Sequence, residues 1–163
     1  MTTPRAQPPE PVAPMLASAG VPPSGPDWAF EFKWDGVRAL AAVAGDRWLL
    51  YSRNRNDITG GYPELAALSE VAAGAPVLLD GEIVALDAAG RPDFELLQQR
   101  MHIRAPSPEL VAQIPICYYV FDLLDFDGHR LLDRATSCAG GCSLTWISVT
   151  DRRGSGYRRT TPM

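Results

Sequence analysis

Residues 31–38 read Glu-Phe-Lys-Trp-Asp-Gly-Val-Arg and contain Lys33, the only lysine among the fifteen basic residues of this 163-residue chain. An arginine guanidinium stays protonated, whereas a lysine amine becomes nucleophilic when desolvation or neighbouring positive charge lowers its pKa. In the turn that follows, Gly36 permits a close approach of the backbone to a ligand, and Asp35 can orient hydrogen-bond donors. The stretch therefore predicts that Lys33 is a nucleophile set beside a tight turn.

Three further segments combine charged residues with apolar or aromatic ones. They read Ser-Arg-Asn at 52–54, Leu-Asp-Gly-Glu-Ile-Val at 79–84 and Tyr-Tyr-Val-Phe-Asp-Leu-Leu at 118–124. Together with residues 31–38 they resemble, in content and in order, the motifs of the covalent nucleotidyltransferase superfamily. That superfamily comprises ATP-dependent DNA ligases, RNA ligases and mRNA capping enzymes.

The sequence around these motifs is similar to that of bacterial ATP-dependent DNA ligases, in particular the ligase domain of the end-joining type. Pro-Met-Leu-Ala at 14–17 precedes the lysine motif, and Asn-Asp-Ile-Thr at 56–59 follows the second motif. The resemblance covers about residues 14 to 134. It implies an α+β fold, a partial nucleotidyltransferase (adenylation) domain of mostly antiparallel sheets with inserted helices, without the C-terminal oligonucleotide-binding barrel. Arg55 departs from the glycine that the family more usually has there.

Length and composition predict one modest hydrophobic core, because the chain has 163 residues of which 46% are hydrophobic. No run approaches the ~20 apolar residues of a membrane span, and the first residues begin no apolar signal core. We therefore expect no membrane partner and a cytoplasmic location, with work at the bacterial nucleoid. The three cysteines lack framework spacing and predict no disulfide: Cys117, Cys138 and Cys142.

Residues 27–134 are predicted to be the folded part of the chain. Leu65, Leu68 and Val71 recur at three-residue spacing, which predicts a helix that Pro63 opens and Gly74 ends. A second helix is predicted over residues 94–102. Short apolar or aromatic runs predict strands at residues 28–32, 38–43, 47–51, 77–79, 82–86 and 116–121.

The two ends of the chain differ from this part in composition. Residues 1–26 contain eight prolines and predict an extended tether, in which residues 14–17 dock as a hydrophobic clip. Residues 135–163 contain no lysine or glutamate and show neither helical nor strand periodicity, which predicts a divergent, disordered tail. The family would continue there with Glu-Gly and Lys-x-Lys motifs, so we expect truncation or a frameshift after about residue 134.

The resemblance implies that Lys33 is the catalytic nucleophile, which attacks the α-phosphorus of ATP to give lysyl-AMP and pyrophosphate. Asp80, two positions before a matching glutamate, fits either a site or a turn. The residues that match nucleotide-binding positions of the family are Glu31, Asp35, Gly36, Arg38, Arg53, Glu82 and Phe121.

Individual roles follow from the chemistry of these side chains. Glu31 would lie on the same side of a strand as the lysine and meet the adenine edge. Arg38 and Arg53 would contact ribose or phosphates, because a planar guanidinium pairs bidentately with such groups. Glu82 would contact the ribose and a metal ion, Mg²⁺ or Mn²⁺, which neutralises the phosphates. Phe121 would stack on the adenine ring.

The resemblance also implies nicked duplex DNA as a partner, together with end-joining proteins. The net charge of −4 opposes DNA binding, which usually relies on a basic surface. Residues 1–134 hold 11 basic against 18 acidic side chains, and residues 135–163 hold 4 against 1. In the family, much of the DNA contact comes from regions beyond this segment, so the acidity is compatible with a DNA ligase.

Two alternatives remain open from sequence. One is an RNA ligase or a capping-type nucleotidyltransferase, which shares the same motifs. The other is a non-catalytic remnant that binds nucleotide weakly at most. Because Lys33 is the only lysine, the metal and two arginines must neutralise the α-phosphate alone, and we expect self-adenylation near background.

Overall fold

The computed structural model of the protein describes residues 6–22, 24–25, 33–72, 74–132, 146–149 and 159–160. The strands in these residues are Val37–Ala44 (β1), Arg47–Ser52 (β2), Val77–Ala85 (β3), Ile116–Phe126 (β4), His129–Arg130 (β5), Trp146–Val149 (β6) and Arg159–Thr160 (β7). They form one antiparallel sheet in the order β2-β1-β3-β4-β6-β7, with β5 paired to β4. The predicted α+β class with antiparallel pairing is confirmed. The strand predicted at residues 28–32 lies outside the described residues.

The helices between the strands are short. Two 3₁₀ turns, Thr59–Gly61 and Pro63–Ala67, lead into α1 (Leu68–Val71), and α2 (Phe94–Gln98) and α3 (Pro108–Gln113) follow. A helical segment does begin at Pro63 as predicted. The helix predicted over 94–102 is wrong in length, since it ends at Gln98 and His102 has a left-handed φ of 68°. Sequence reasoning missed α3, although Ser107 caps it and Pro108 opens it.

The main core lies on one face of the sheet, beneath α1 and α2. Alternate residues of β1, β3 and β4 supply it, as the two-residue period of a strand requires. Tyr118 is fully buried there, and its hydroxyl donates a 2.8 Å hydrogen bond to the carbonyl oxygen of Ala39. This bond ties β4 to β1 across β3. A smaller cluster on the other face contains Leu40, Ala42, Leu78 and Leu124.

The two strands predicted at 77–79 and 82–86 are a single strand, and the reading of Asp80 as a turn residue is wrong. Asp80 pairs with Leu40 of β1 and Asp122 of β4, within the continuous β3. Gly81 makes this possible, because a Cβ there would overlap the carbonyl oxygen of Tyr119 and come within 2.7 Å of the Tyr118 ring. The β3–β4 register shifts beside this residue, as at a β-bulge.

The N-terminal segment partly docks on the smaller cluster. Val12 packs against that cluster and Pro14 is buried. Met15 and Leu16 are 86% and 56% exposed, so the hydrophobic clip predicted at 14–17 is wrong for these two residues. The segment contributes apolar contacts through residues that sequence reasoning had assigned to an extended tether.

Six residues of the predicted tail are described, and they form strand. β6 pairs antiparallel with β4 through Tyr118 opposite Val149 and Tyr119 opposite Ser148, and β7 pairs with β6. The expectation of little regular structure does not hold for these six residues. The rest of residues 135–163 lies outside the described part, and the division of the chain at residues 26 and 134 stays a prediction.

A buried ion pair links the helical segments beneath the sheet. Arg100 Nη1 donates to Glu64 Oε1 at 2.6 Å and Nη2 donates to Oε2 at 3.1 Å. The same guanidinium donates to the carbonyl oxygens of Gly61 and Ile114, at 2.9 and 3.0 Å. One side chain thereby joins residue 100 to the segment 61–64 and to residue 114.

Candidate active site

Three adjacent strands place three of the predicted site residues, Arg38, Glu82 and Phe121, on one face of the sheet, opposite the main core. Arg38 of β1 pairs with Glu82 of β3, which pairs with Tyr119 of β4, so these three side chains form a row. Phe121 lies two positions beyond Tyr119 on the same face, and its ring centroid is 5.0 Å from Arg38 Cζ. Residues separated by up to 83 positions in sequence therefore meet at one place.

Arg38 is held from two directions. Its Nε donates to Asp80 Oδ1 at 2.9 Å and its Nη2 to Oδ2 at 2.6 Å, a bidentate ion pair. The Asp80 side chain is 4% exposed and the Arg38 side chain 27% exposed, so part of the Arg38 side chain stays accessible. The hydrogen bond to Asp80 raises the pKa of Arg38, which keeps this cation charged. Asp80 thus pairs with a predicted site residue, and its two-residue spacing from Glu82 places both carboxyls on one face of β3.

Lys33 lies on the segment that leads into β1. Its side chain is exposed, as is that of Asp35, and the residue between them is anchored. Trp34 stacks on Tyr119 with ring centroids 4.1 Å apart and planes 5° apart. Offset aromatic stacking of this kind adds about 0.5–1.5 kcal/mol beyond buried area. The stack holds the lysine segment against the same face that carries Arg38 and Glu82.

Glu82 is the most electrostatically perturbed carboxyl of this face. Burial raises its pKa to about 7, against the opposing positive charge of Arg38, a hydrogen bond from the Gly36 backbone N–H and the positive charge of Lys33. A half-buried carboxyl with this pKa gains from any added cation that stabilises its ionised form. It is also close enough to Lys33 for the two charges to interact.

The raised pKa of Glu82 makes stability depend on pH. The protonated carboxyl is favoured by the fold, so the stabilisation is complete below about pH 4.5 and is lost as pH rises towards about 7. We expect Glu82→Gln to remove this loss. Relative to the wild type, the free energy of unfolding of the variant should be higher at pH 8 than at pH 4.5, by on the order of 1–2 kcal/mol after allowing for solvent screening. Urea unfolding at both pH values measures it.

Glu95→Gln, on an exposed position of α2, is the matched control for the Glu82 experiment. Its stability should follow the wild-type pH profile. Equal pH dependence of wild type and Glu82→Gln would show that this carboxyl does not titrate in the folded protein at the expected pH.

Close packing against β3 explains why residue 36 is a glycine. A Cβ at this position would overlap the carbonyl oxygen of Ile83 and come within 2.8 Å of Val84 Cγ1 and 3.0 Å of Glu82 Cγ. The missing side chain therefore makes room for β3, in addition to any nucleotide contact. Its backbone N–H is also the donor to the Glu82 carboxyl.

Gly36→Ala should destabilise the fold by about 1–3 kcal/mol, because the added methyl group must displace backbone of β3. Chemical denaturation measures the loss. Gly20→Ala is the control, since a Cβ there has no neighbour within 4 Å, and it should change stability little. A Gly36→Ala protein as stable as wild type would contradict the close packing of this turn against β3.

Arg53 lies outside this row of side chains. It is exposed in the loop after β2, whose last residue, Ser52, pairs with Ala39. The loop is therefore near the end of β1 at which Lys33 and Arg38 lie. Glu31 lies outside the described residues, so its predicted place beside the lysine is untested.

The metal-binding prediction rests on Glu82 alone. In the part of the chain that the structure describes, no group of three His, Cys, Asp or Glu side chains is placed to hold a metal ion. Mg²⁺ binds proteins through one or two carboxylates together with substrate phosphates, so a single half-buried carboxyl fits this ion. It would not fit a structural metal held by protein ligands only.

A separate cleft of about 510 Å³ lies between the turn after β3 and α3. Its walls include Leu86, Leu96, Val111 and Ile116. None of the predicted site residues that the structure describes lines it. The candidate site therefore rests on the convergence of charged and aromatic groups, and not on a cavity.

The fold and this arrangement of residues are those expected of a covalent nucleotidyltransferase. The model of the ATP-dependent DNA ligase domain family matches residues 14–138, and the chain belongs to that family. Within the described residues no helix is both long and apolar enough to cross a lipid bilayer.

Two of the similar proteins are end-joining proteins. The multifunctional non-homologous end joining DNA repair protein LigD of Mycobacterium tuberculosis is 40% identical over 123 residues, which cover 74% of this chain and 15% of that protein. The bifunctional non-homologous end joining protein LigD of Bacillus subtilis is 35% identical over 149 residues, covering 87% of this chain and 22% of that protein. The chain thus spans only a small part of the length of these relatives.

Solved structures of ligase domains are also similar to this chain. A structure of mycobacterial DNA ligase D complexed with ATP and MES matches 61% of this chain and 30% of that chain, with a TM-score of 0.51 and 37% sequence identity. The ligase domain of M. tuberculosis LigD matches with the same values. The likeness supports a partial nucleotidyltransferase fold with a curled antiparallel sheet.

Proposed function

We propose that this chain forms part of the adenylation unit of an ATP-dependent DNA ligase of the bacterial end-joining type, with Lys33 as the residue that takes up AMP. The observation that carries the proposal is the shared sheet face of Arg38, Glu82 and Phe121, to which the Trp34–Tyr119 stack holds the lysine segment. Nucleophile, cation, carboxyl and aromatic ring are the groups that adenylyl transfer requires around one nucleotide.

In the first step, the Lys33 amine attacks the α-phosphorus of ATP. A phosphorus–nitrogen bond forms, the bond to the β-phosphate oxygen breaks and pyrophosphate leaves, while the amine proton passes to solvent. Arg38 offers the part of its side chain that stays accessible, and Arg53 can approach the phosphates from the β2 loop. Their charge stabilises the transition state.

The base and ribose would lie along the same face. Phe121 provides an aromatic surface for adenine, and the base uses ring area that Arg38 does not cover. Glu82 accepts a hydrogen bond from the ribose, and Glu31 and Asp35 would complete the contacts around the base and the turn. When bound, Mg²⁺ supplies positive charge to the phosphates, and Glu82 is the residue that would hold it.

The later steps use nicked duplex DNA. AMP would pass from Lys33 to the 5′-phosphate at the nick, and attack by the adjacent 3′-hydroxyl would seal the strand and release AMP. This reaction would take place at the bacterial nucleoid, and end-joining proteins would be its partners. The similarity to LigD proteins supports this proposal.

The experiment is incubation of the purified chain with α-labelled ATP and Mg²⁺, followed by denaturing electrophoresis. We expect slow, substoichiometric labelling, because Lys33 is the only lysine and no second lysine can steady the α-phosphate. Added pyrophosphate should remove the label. Labelling by GTP in preference to ATP would instead favour a capping-type enzyme, and complete absence of label would favour a non-catalytic remnant.

A further inference from the structure

The cleft between the turn after β3 and α3 has hydrogen-bonded walls on both sides. In the turn, Asp87 Oδ1 accepts from the backbone N–H groups of Ala89 and Arg91, both at 2.8 Å. On the other side, Ser107 Oγ accepts from the Leu110 N–H at 3.3 Å and caps α3. The volume of about 510 Å³ lies in the usual range of ligand sites, about 300–1,000 Å³. The cleft is therefore pre-formed and large enough for a small molecule.

The lining of the cleft combines apolar walls with acidic groups. Among the described residues that line it, the two charged ones are Glu64 and Asp87, and none is a lysine, an arginine or a histidine. A phosphate or carboxylate ligand would find no cationic partner there and would face two negative charges. The cleft is therefore unsuited to a second nucleotide, and its charge favours a cation.

Glu64 is a fixed hydrogen-bond acceptor in this wall. Its side chain is 4% exposed, and each carboxylate oxygen accepts one hydrogen bond from Arg100, at 2.6 and 3.1 Å. A carboxylate oxygen has two lone pairs, so each can accept a further donor. The Arg100 pair holds the carboxylate in place, and a pre-organised group lowers the cost of binding.

Asp87 supplies a second negative charge at a more accessible point of the cleft. Its side chain is 24% exposed. The hydrogen bond from the Arg91 backbone N–H lowers the pKa of Asp87, which keeps this carboxylate ionised. The side chain of Arg91 is 79% exposed and does not line the cleft. A ligand inside the cleft therefore meets the carboxylate and not its partner.

We propose that this cleft is a second ligand site, which takes a small organic cation with an ammonium or guanidinium group on an apolar body. The apolar walls would enclose the body, and the two carboxylates would accept from its N–H groups. Hydrogen bonds between ionised partners are roughly twice as strong as neutral ones. The site lies apart from the candidate nucleotide face, and the inference does not rest on the proposed ligase function.

The test is a titration of the isotope-labelled full chain with phenethylamine, followed by the amide chemical shifts in NMR spectra. Phenethyl alcohol and phenylacetate are the neutral and anionic controls. The amides of Gly90 and Val111, which line the cleft, should shift saturably, and those of Arg38 and Glu82 should not. The amine should bind about tenfold more tightly than the alcohol, as expected for hydrogen bonds to a charged group, and phenylacetate should not bind.

Two variants locate the site. Val111→Trp adds a large ring to the wall and should abolish the shift of Gly90 by the amine. Gln98→Trp, at an exposed position of α2 outside the lining, is the matched control and should bind as wild type. Asp87→Asn keeps a side-chain oxygen for the turn, and it should weaken binding of the amine about threefold while leaving the alcohol unchanged.

Three results would overturn the inference: no saturable shift of the wild type by the amine, binding of phenylacetate as tight as that of the amine, or wild-type binding by a folded Val111→Trp chain. Should that variant not fold, the three ligands on the wild type decide alone. No ATP is present in these titrations, so failure of AMP labelling counts against the proposed function only.

Discussion

Lys33→Arg should abolish the slow AMP labelling of the chain and leave only background. The substitution keeps the positive charge and nearly the same length, but a guanidinium stays protonated and cannot attack phosphorus. Lys33 is also exposed, so its loss removes no buried contact and the fold should be unchanged. Labelling by α-labelled ATP, with circular dichroism to check folding, measures the effect.

A composition-matched control separates position from residue type. The double variant Lys33→Arg/Arg47→Lys has the same amino-acid content as the wild type but moves the lysine to the exposed start of β2. It should remain unlabelled. Recovery of label in this variant would mean that any accessible lysine reacts, and the specific role of Lys33 would be lost.

Arg100→Met should destabilise the protein by about 3–5 kcal/mol, because it leaves the Glu64 carboxyl buried without its partner. The carbonyl oxygens of Gly61 and Ile114 lose their donors as well. Total stabilities are about 5–15 kcal/mol, so this loss is a large fraction of the whole. Urea denaturation measures the change in the free energy of unfolding.

The exposed pair of Arg91 and Asp87 provides the control. Arg91 donates to Asp87 Oδ2 at 2.9 Å with its side chain 79% exposed, so Arg91→Met should leave the unfolding midpoint nearly unchanged. The double variant Arg100→Met/Glu64→Leu should recover a part of the loss, because both charges are then absent. Equal effects of Arg100→Met and Arg91→Met would contradict the importance of burial.

Local sequence patterns predicted the central strands well. Short apolar and aromatic runs located β1 and β2 to within one residue at each end, and the motif order implied that Glu82 and Phe121 share a site. The structure places both on one sheet face. Whether they bind nucleotide is still a prediction.

Contacts that depend on strand register could not be predicted in the same way. Asp80 was ambiguous because its role depends on Arg38, which lies 42 positions earlier on another strand. The Arg100–Glu64 pair joins residues 36 positions apart, and no periodicity marks either one. In both cases the function of a charge is decided by its partner, which only the folded chain identifies.

The described strands of the C-terminal region were missed for another reason. Residues 135–163 lack apolar periodicity, yet β6 pairs with the edge of β4 through backbone hydrogen bonds. An unpaired strand edge offers the same donors and acceptors to many sequences. Side-chain patterns therefore predict such pairing poorly.

The measurement that tests the central claim most directly is peptide mapping by tandem mass spectrometry of the chain after reaction with ATP and Mg²⁺. The claim is that the sheet face of Arg38, Glu82 and Phe121 presents a nucleotide to Lys33. It predicts a mass increase of one AMP on the peptide that contains Lys33, with fragment ions that locate it on that side chain. An AMP group on His102 or His129 instead, or no modified peptide after prolonged incubation, would contradict it.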